Sequence, residues 1–535
     1  MPIQITRHTE QFSSSGQIAI DDLTLIAEAG FRSVICNRPD DEDGGQHVAS
    51  AELEKQAAAL GMQFAYLPVG RSGMAPEQGA AMHALLVQLP GPVLAFCRSG
   101  ARSTNLFRLA GDSAATAQSG TQPQANVAAD ASSFDVVVVG GGSAGIAVVA
   151  SLLQRQPGLR IAIVEPSEQH YYQPAWTLVG AGEFDVRKTV RPTASVIPSG
   201  AQWIQRAVAF FAPDEQRVGL ADGRVLTYQQ LIVCAGLQLA WDKIEGLEET
   251  LGKHGVTSNY RYDLAPYTWE LVAGLKRGKA IFTQPGMPIK CAGAPQKAVY
   301  LSCDHWARNG VDGNIEVEFC NAGGVLFGVA TFVPVLMSYM KKYRVKLSFN
   351  ANLVKVDGPR KLAWFDVKDE AGTVSRIEKT FDMLHVVPPQ LPPDVVRRSP
   401  LADAAGWCEV DHASLQHPRF PNVFALGDVC SAPNAKTVAA VRKQVVVVAE
   451  NLLALRAGQR LPTTYDGYGA CPLTVEKGKI VLAEFGYGGK LLPTFPLEAT
   501  VPRRSAWYLK AAILPAVYWH LVLKGREWLA RPSVK

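Results

Sequence analysis

The sequence predicts an α/β protein in two parts, a small module over residues 1–111 and a larger body over 134–500, with an amphipathic helical segment over 501–535. Three observations carry this reading. Short apolar runs alternate with helical patterns through the first 110 residues, as buried strands and their crossover helices do. Residues 112–133 hold only small and polar types plus Val127, and read as a flexible linker with a reach of about 25 Å. From Phe134, a buried strand, a glycine-rich turn, a helix and a second strand follow in immediate succession.

Composition narrows the function classes. A chain of 535 residues has room for roughly three or four domains of about 150 residues. Apolar residues make up 47% and charged residues 19%, ample for packed cores. A net charge of +5, with no Lys/Arg block interleaved with aromatics, argues against a nucleic-acid partner. Nine cysteines are scattered without a CxxC pair, so neither a metal site nor a CxxC redox motif is expected. Their scatter and odd number suit a reducing compartment. Met1–Thr6 lacks the basic and apolar regions of a secretory signal. No apolar run reaches the 18 or so residues that span a bilayer. The expectation is a cytosolic protein unless something anchors it.

In the small module, Phe31–Asn37 and Pro92–Phe96 read as strands, and Ile20–Ala29, Ala49–Leu60 and Gly79–Gln88 as helices. Phe96-Cys97-Arg98-Ser99-Gly100-Ala101-Arg102-Ser103 is then a strand, a Cys-to-Arg loop and the start of a helix over Thr104–Ala110. Backbone N–H groups of such a loop, with a helix N-terminus behind them, lower a thiol pKa and cradle an anion. Cys97 and Arg102 are therefore the site residues here, with Asn37-Arg38-Pro39-Asp40 as a second block.

In the body, Asp135–Val139 is a strand, Gly140-Gly141-Gly142-Ser143-Ala144-Gly145 the turn, Ile146–Arg155 the helix and Ile161–Glu165 the next strand. Gly140, Gly142 and Gly145 match G-x-G-x-x-G, and Glu165 stands where an acid accepts hydrogen bonds from a ribose, so a Rossmann-like dinucleotide site is expected. Glu316–Gly324 could open a second such half, but it lacks the full fingerprint and a following acid, so a bound nicotinamide is poorly supported. Asn422–Asp428 is a strand closing on Gly-Asp, and Thr437–Gly458 a helix. Between them in function, if not in sequence, stands Cys291 in Met287-Pro-Ile-Lys-Cys-Ala-Gly-Ala-Pro-Gln-Lys297. Flanking cations favour its thiolate, although alone it reads more readily as a small residue in a turn, and Lys297 more readily as a solvated lysine than as an electrostatic aid to Cys291.

These blocks together resemble the sulfide:quinone oxidoreductase family of the flavin disulfide reductase superfamily. The resemblance covers about residues 134–535 and rests on Glu165–Gly182, Ile289–Lys297, Gly427–Thr437 and Cys471-Pro-Leu-Thr-Val. It implies two interleaved Rossmann-like subdomains holding FAD, with Cys291 and Cys471 as the redox pair. It implies flavin contacts from Ser143, Ala144, Glu165, Gln173, Val208, Asp428, Val438, Ala439, Ala440 and Val441. Sulfide and quinone are the implied substrates, and glutathione, sulfite or cyanide the acceptor of sulfane sulfur. Cys430, beside Gly-Asp, is offset in the resembling branch and reads as structural, as do Cys234, Cys303, Cys320 and Cys408.

The segment Ala506–Leu523, with Arg503, Arg504, Lys510, Lys524, Arg526 and Arg531 around it, is too interrupted to span a bilayer. It suits docking on an anionic lipid surface, on the cytoplasmic face, from which quinone comes. Packing on the body or a homo-oligomer contact is the alternative use of these helices. The module resembles the tyrosine-phosphatase-like domain found beside β-lactamase-like hydrolases. Its Cys and Arg are separated by four residues where phosphatases of that superfamily have five, and C-R-x-G-x-R also resembles the rhodanese loop. The shorter loop suits a sulfur-sized group, so Cys97 is expected to take sulfane sulfur from the Cys291 site. A phosphatase, with Asp40 or Asp41 as general acid, is the alternative. For the body the alternatives are an NADH:quinone oxidoreductase and a non-catalytic flavin redox sensor.

Overall fold

The computed structural model describes residues 5–9, 11–40, 42, 47–70, 76–117, 132–527 and 529–530. The chain divides into two compact units, Met1–Ala128 and Ala129–Lys535.

The first unit is a five-stranded sheet with helices on both faces. Its strands are β1 (Ile5–Arg7), β2 (Phe12–Ser15), β3 (Ser33–Cys36), β4 (Gln63–Tyr66) and β5 (Val93–Phe96), in the order β1-β2-β5-β3-β4. Only the β1–β2 pairing is antiparallel. The helices are α1 (Asp22–Glu28), α2 (Ser50–Ala59), α3 (Pro76–Gln88) and α4 (Ala101–Ala117). Strand alternation builds two cores: Val34 and Cys36 join Leu23 and Leu53 on one face, and Ile35 joins Met82 and Leu106 on the other. The loop after β5, the central strand, carries Cys97. Residues 112–117, expected as linker, are the last turns of α4, and Ser133 already belongs to the next strand. Most of the expected linker lies outside the described residues.

The second unit opens with β6 (Ser133–Val139), α5 (Ser143–Arg155) and β7 (Ile161–Val164). The β6 sequence Phe-Asp-Val-Val-Val-Val is apolar at nearly every position because a central parallel strand is covered on both faces. It pairs in parallel with β7 and with the strand Val225–Val233. Gly140 takes φ 104°, and a Cβ on Gly145 would fall 1.8 Å from the Gly140 carbonyl oxygen, so the turn and the helix packing both require glycine.

A second parallel sheet contains β8 (Gly278–Gln284) and β9 (Ile315–Asn321), joined by the crossover α6 (Ala294–Arg308), with Val256–Thr257, Met383–His385 and Lys346–Phe349 completing it. This corrects the expected start of the second nucleotide-type half. Ile315–Asn321 is the second strand, and β8 is the first. The β8-to-α6 turn, where a dinucleotide fold has its phosphate loop, carries Cys291. The chain returns to the first sheet as β10 (Val423–Ala425), parallel to Val225–Val233, and continues into α7 (Val438–Arg456). A hairpin of β11 (Gly469–Glu476) and β12 (Lys479–Phe485) then packs on α6.

The C-terminal segment is one helical run: α8 (Arg504–Tyr508), a π turn over Leu509–Ile513, α9 (Leu514–His520) and a 3-10 turn at Val522–Lys524. By length and composition this 21-residue stretch is apolar enough to cross a membrane, with mean hydropathy 1.2 in its best window, contrary to the expectation of an interrupted one. About 39% of that window is nonetheless buried in the fold. Val517, Tyr518, Trp519, Val522 and Leu523 join the main core, whereas Tyr508 and Ile513 are exposed.

Candidate active site

The candidate site is built around Cys291. Three residues upstream of α6, it sits in the left-handed region at φ 51°, a conformation that costs a non-glycine residue on the order of 1 kcal/mol and persists where the surroundings fix it. Here its N–H donates to the Lys436 carbonyl at 3.0 Å and its own carbonyl accepts from Ala294 N–H at 2.7 Å. The Cys291 Sγ then lies 3.6 Å from the Sγ of Cys471 on β11. That is van der Waals contact, well beyond the about 2.05 Å of a disulfide, and the two sulfurs are placed for thiol–disulfide chemistry.

Lys297 is not solvated. It is 3% exposed, and its Nζ donates to Cys291 Sγ at 3.1 Å. The Cys291 thiol is held well below its ordinary pKa: Cys471 S–H donates to it, and Lys297 supplies charge and a hydrogen bond against the opposing effect of burial. The α6 N-terminus adds a favourable dipole. Cys471, as the donor, is pushed up, so the pair divides into a thiolate at Cys291 and a thiol at Cys471. Lys510, expected among lipid-facing cations, is instead 6% exposed at this site. Burial and the repulsion of Lys297 lower its pKa to about 7.

A cavity of about 300 Å³ runs from the glycine turn to the cysteines. Of the residues expected at the cofactor, Gly142, Ser143, Ala144, Gln173, Asp428, Val438, Ala439 and Val441 line it, together with Cys291 and Lys297. Cys471 lies directly behind Cys291 and is 2% exposed. Glu165 does not line this cavity; its Oε2 accepts from Gly141 N–H at 2.7 Å and holds the turn. Two further residues expected as flavin contacts do not line it. Val208 starts the strand Val208–Ala212, outside the cavity, and Ala440 is turned into the core with its N–H donating to Thr437 Oγ1 at 3.3 Å.

Sequence reasoning missed Lys436, Asn259, Thr177, Tyr172 and Tyr518, all on the cavity wall. Lys436 lies within the Gly427–Thr437 block and could have been found there. Its Nζ donates to the carbonyls of Asp428 and Cys430 at 2.7 and 3.0 Å. Tyr172 and Thr177 lie within the Glu165–Gly182 block and Tyr518 within the C-terminal segment, whereas Asn259 comes from a stretch with no motif. The cavity has the features a dinucleotide cofactor needs. A Cβ on Gly142 would meet open space, α5 and α7 begin at its wall, and the buried side-chain atoms of Asn259 and Thr177 have no protein partner. Cys430 is absent from the lining, and its Sγ donates to the Gly427 carbonyl at 3.2 Å. Cys234 reaches the wall, but burial holds its thiol well up and unreactive. Among the described residues, no group of three or more His, Cys, Asp or Glu could hold a metal.

In the first unit, Cys97 is fully buried at the end of β5. Burial pushes its thiol up, but hydrogen bonds from the backbone N–H groups of Ser103, Ser99, Arg102 and Gly100 outweigh it, and the net shift is downward. Arg102 donates to the Val69 carbonyl at 2.6 Å and to Glu42 Oε2 at 2.8 Å, and Glu42 also pairs with Arg38 at 2.9 Å. Asp40, a candidate general acid on the phosphatase reading, has both oxygens engaged by Ser50 at the start of α2, from its N–H at 2.8 Å and its Oγ at 2.7 Å. That is a structural role. Asp41 lies outside the described residues.

Comparison with known proteins agrees with both halves of this description. The phosphatase-like domain of β-lactamase hydrolase-like proteins matches residues 4–115, and the pyridine nucleotide-disulphide oxidoreductase family matches 134–269. The chain is 40% identical over 392 residues to the mitochondrial sulfide:quinone oxidoreductase of Mus musculus, covering 73% of this chain and 87% of the mouse protein. Its first unit is 31% identical over 107 residues to the β-lactamase hydrolase-like protein of Agrobacterium fabrum, 20% of this chain and 25% of that one. The sulfide:quinone oxidoreductase structure from Aquifex aeolicus shares the fold at a TM-score of 0.61 and 19% identity, over 74% of this chain and 92% of that chain. A thiol pair beside a dinucleotide cavity, on a chain so similar to the mouse enzyme along most of its length, leaves one conclusion: this chain belongs to the sulfide:quinone oxidoreductase family, with a phosphatase-like domain preceding the oxidoreductase body.

Proposed function

We propose that the protein oxidises hydrogen sulfide to sulfane sulfur through the Cys291–Cys471 pair, with FAD in the adjoining cavity and quinone as the final electron acceptor. The observation that carries this reading is the contact of the two sulfurs beside the Lys297 ammonium. In the oxidised, disulfide form of the pair, HS⁻ attacks Cys471 Sγ. The bond to Cys291 breaks, and Cys291 leaves with the electron pair because its thiolate is the better stabilised of the two. Cys471 then carries the persulfide. A thiolate acceptor takes its outer sulfur and leaves Cys471 as a thiolate, and the reduced pair loses two electrons to become a disulfide again. FAD, when bound, supplies the two-electron acceptor for that step and passes the pair to quinone. The backbone of Gly142–Ala144 at the α5 N-terminus would hold its pyrophosphate and Asp428 the ribityl chain, with Glu165 holding the turn from behind.

Cys97 is proposed as the relay. Its thiolate takes the outer sulfur from Cys471, becomes a persulfide, and gives that sulfur to glutathione or sulfite. The hydrogen-bonded Cys97 loop supports this by favouring the thiolate. Exposed residues of the C-terminal run include Arg504, Ser505, Tyr508, Ala512, Ile513, Ala516, His520 and Lys524, apolar positions with cations at both ends, which supports peripheral docking on a membrane, proposed here to be on its cytoplasmic face.

The test is sulfide-dependent reduction of a water-soluble quinone by the wild type, Cys291→Ser and Cys471→Ser. Each variant is expected to lose at least about a hundredfold. Full activity in either one, or NADH outperforming sulfide, overturns the reading. Retained sulfane transfer to glutathione or sulfite in Cys97→Ala removes Cys97 as the relay.

A further inference from the structure

The C-terminal tail is strapped along the whole of α5. At the N-terminal end of that helix, Tyr518 Oη lies 2.7 Å from Ser143 Oγ and 2.6 Å from His170 Nε2, and His170 Nδ1 lies 3.2 Å from the Gly141 carbonyl. Midway, Gly525 passes so close that a Cβ on it would fall 2.6 Å from the Ala150 carbonyl carbon. At the far end, Glu527 accepts from Ser151 Oγ at 2.8 Å and from both Nη atoms of Arg155, at 2.5 and 2.8 Å.

The first of these contacts has a fixed proton order. The Gly141 carbonyl can only accept, so His170 carries its proton on Nδ1 and presents a bare Nε2. Burial lowers the His170 pKa to about 4, so the ring is neutral at physiological pH. Tyr518 therefore donates to Nε2, and its oxygen accepts the Ser143 hydroxyl proton. That proton is spent on the tail, and binding of an anion at the turn falls to the backbone N–H groups. Their direction is set by what holds the turn: Glu165 on the Gly141 N–H, His170 on the Gly141 carbonyl and Tyr518 on the Ser143 side chain. Tyr518 and His170 are 1% and 4% exposed, so water does not compete for these bonds.

We propose that Tyr518 is a positioning residue of the cofactor site, fixing through Ser143 and His170 the glycine turn that receives the FAD pyrophosphate, so that the C-terminal tail is required for FAD retention. This rests on the FAD reading given above. A segment whose composition marks it for lipid thereby also completes the dinucleotide site, and the two roles use opposite faces of one helix.

The test measures the FAD Kd of the apoprotein by quenching of its tryptophan fluorescence, and separately the apoprotein Tm. Tyr518→Phe keeps the ring against Tyr172 and removes the hydroxyl. It is expected to weaken FAD binding about tenfold with little change in apoprotein Tm, and Ser143→Ala combined with it should bind no worse than the weaker single variant. A chain ending at Ile513 is expected to purify without flavin. FAD binding within twofold of wild type in Tyr518→Phe, or a fall in apoprotein Tm that tracks the loss of affinity, overturns the proposal even if the truncated chain does not fold. Wild-type protein that neither purifies with FAD nor binds it would instead sink the FAD reading.

Discussion

The Lys297 ammonium stands 3.1 Å from Cys291 Sγ and is almost wholly buried, so a full positive charge is held against the sulfur pair at the Cys291 end. Removing that charge leaves chiefly the Cys471 S–H hydrogen bond to oppose burial, which pushes a thiol up. In Lys297→Met the pH at which Cys291 becomes reactive to iodoacetamide should rise by at least about one unit, with labelling near pH 6 at least about tenfold slower than in the wild type. Mass spectrometry of the modified peptide across pH 5–10 reads this directly, and an unmoved inflection would remove Lys297 as the source of the thiolate.

Gly293 makes the sulfur contact possible. A Cβ there would fall 2.5 Å from Cys471 Sγ and 2.3 Å from Leu473 Cδ2, so the Cys471 sulfur and the Leu473 side chain must be displaced to accept one. Gly293→Ala should lower sulfide oxidation at least about tenfold, since small displacements of reacting atoms are costly. Flavin content, read from the visible spectrum, should stay at the wild-type level. Wild-type turnover in this variant would show that the sulfurs need not meet at this spacing.

Lys510 gives a pH-dependent stability with a defined sign. Its folded pKa is about 7, against about 10.4 for an unfolded lysine. Between those values the unfolded chain binds more protons at this group, so its contribution to stability rises with pH, and below about 7 the cost of a buried cation is fully present. Lys510→Met should therefore raise Tm by about 2–4 °C at pH 6, with the gain shrinking toward pH 10. A variant less stable than wild type at pH 6 would mean that the charge is favourably held.

Tyr508 and Ile513 lie on the outward side of the C-terminal run, 71% and 47% exposed. Phe495, Leu497 and Val501, in the segment before it, are exposed as well. Replacing Tyr508 and Ile513 together by aspartate should reduce co-sedimentation with phosphatidylserine-containing vesicles about tenfold or more. Reduction of a water-soluble quinone should be unchanged, because neither residue lines the cavity. Unaltered sedimentation would assign this side to another contact.

The glycine turn, its strand and helix, and the Gly-Asp strand with the helix after it were legible because each is a local pattern whose spacing reports its own geometry. Cys291 and Cys471 could be paired only through family resemblance, since nothing in the spacing of residues 180 positions apart requires them to touch. The environment of Lys297 was misread because burial depends on what packs over a residue, and here that cover includes the C-terminal helix. The start of the second parallel sheet was misplaced because Gly278–Gln284 and Ile315–Asn321 are equally good strands, and pairing decides which precedes the crossover.

The sequence by itself determined the two-part α/β organisation, the dinucleotide turn, the Cys97 loop and the lipid-like composition of the C-terminal segment, because these follow from local periodicity, turn chemistry and composition. The tertiary structure alone decided which sulfur is the thiolate, that Lys510 points inward, and that Tyr518 closes back on Ser143. Those outcomes depend on groups far apart in the chain that are brought within hydrogen-bonding distance in a low-dielectric interior, where position sets charge and proton order.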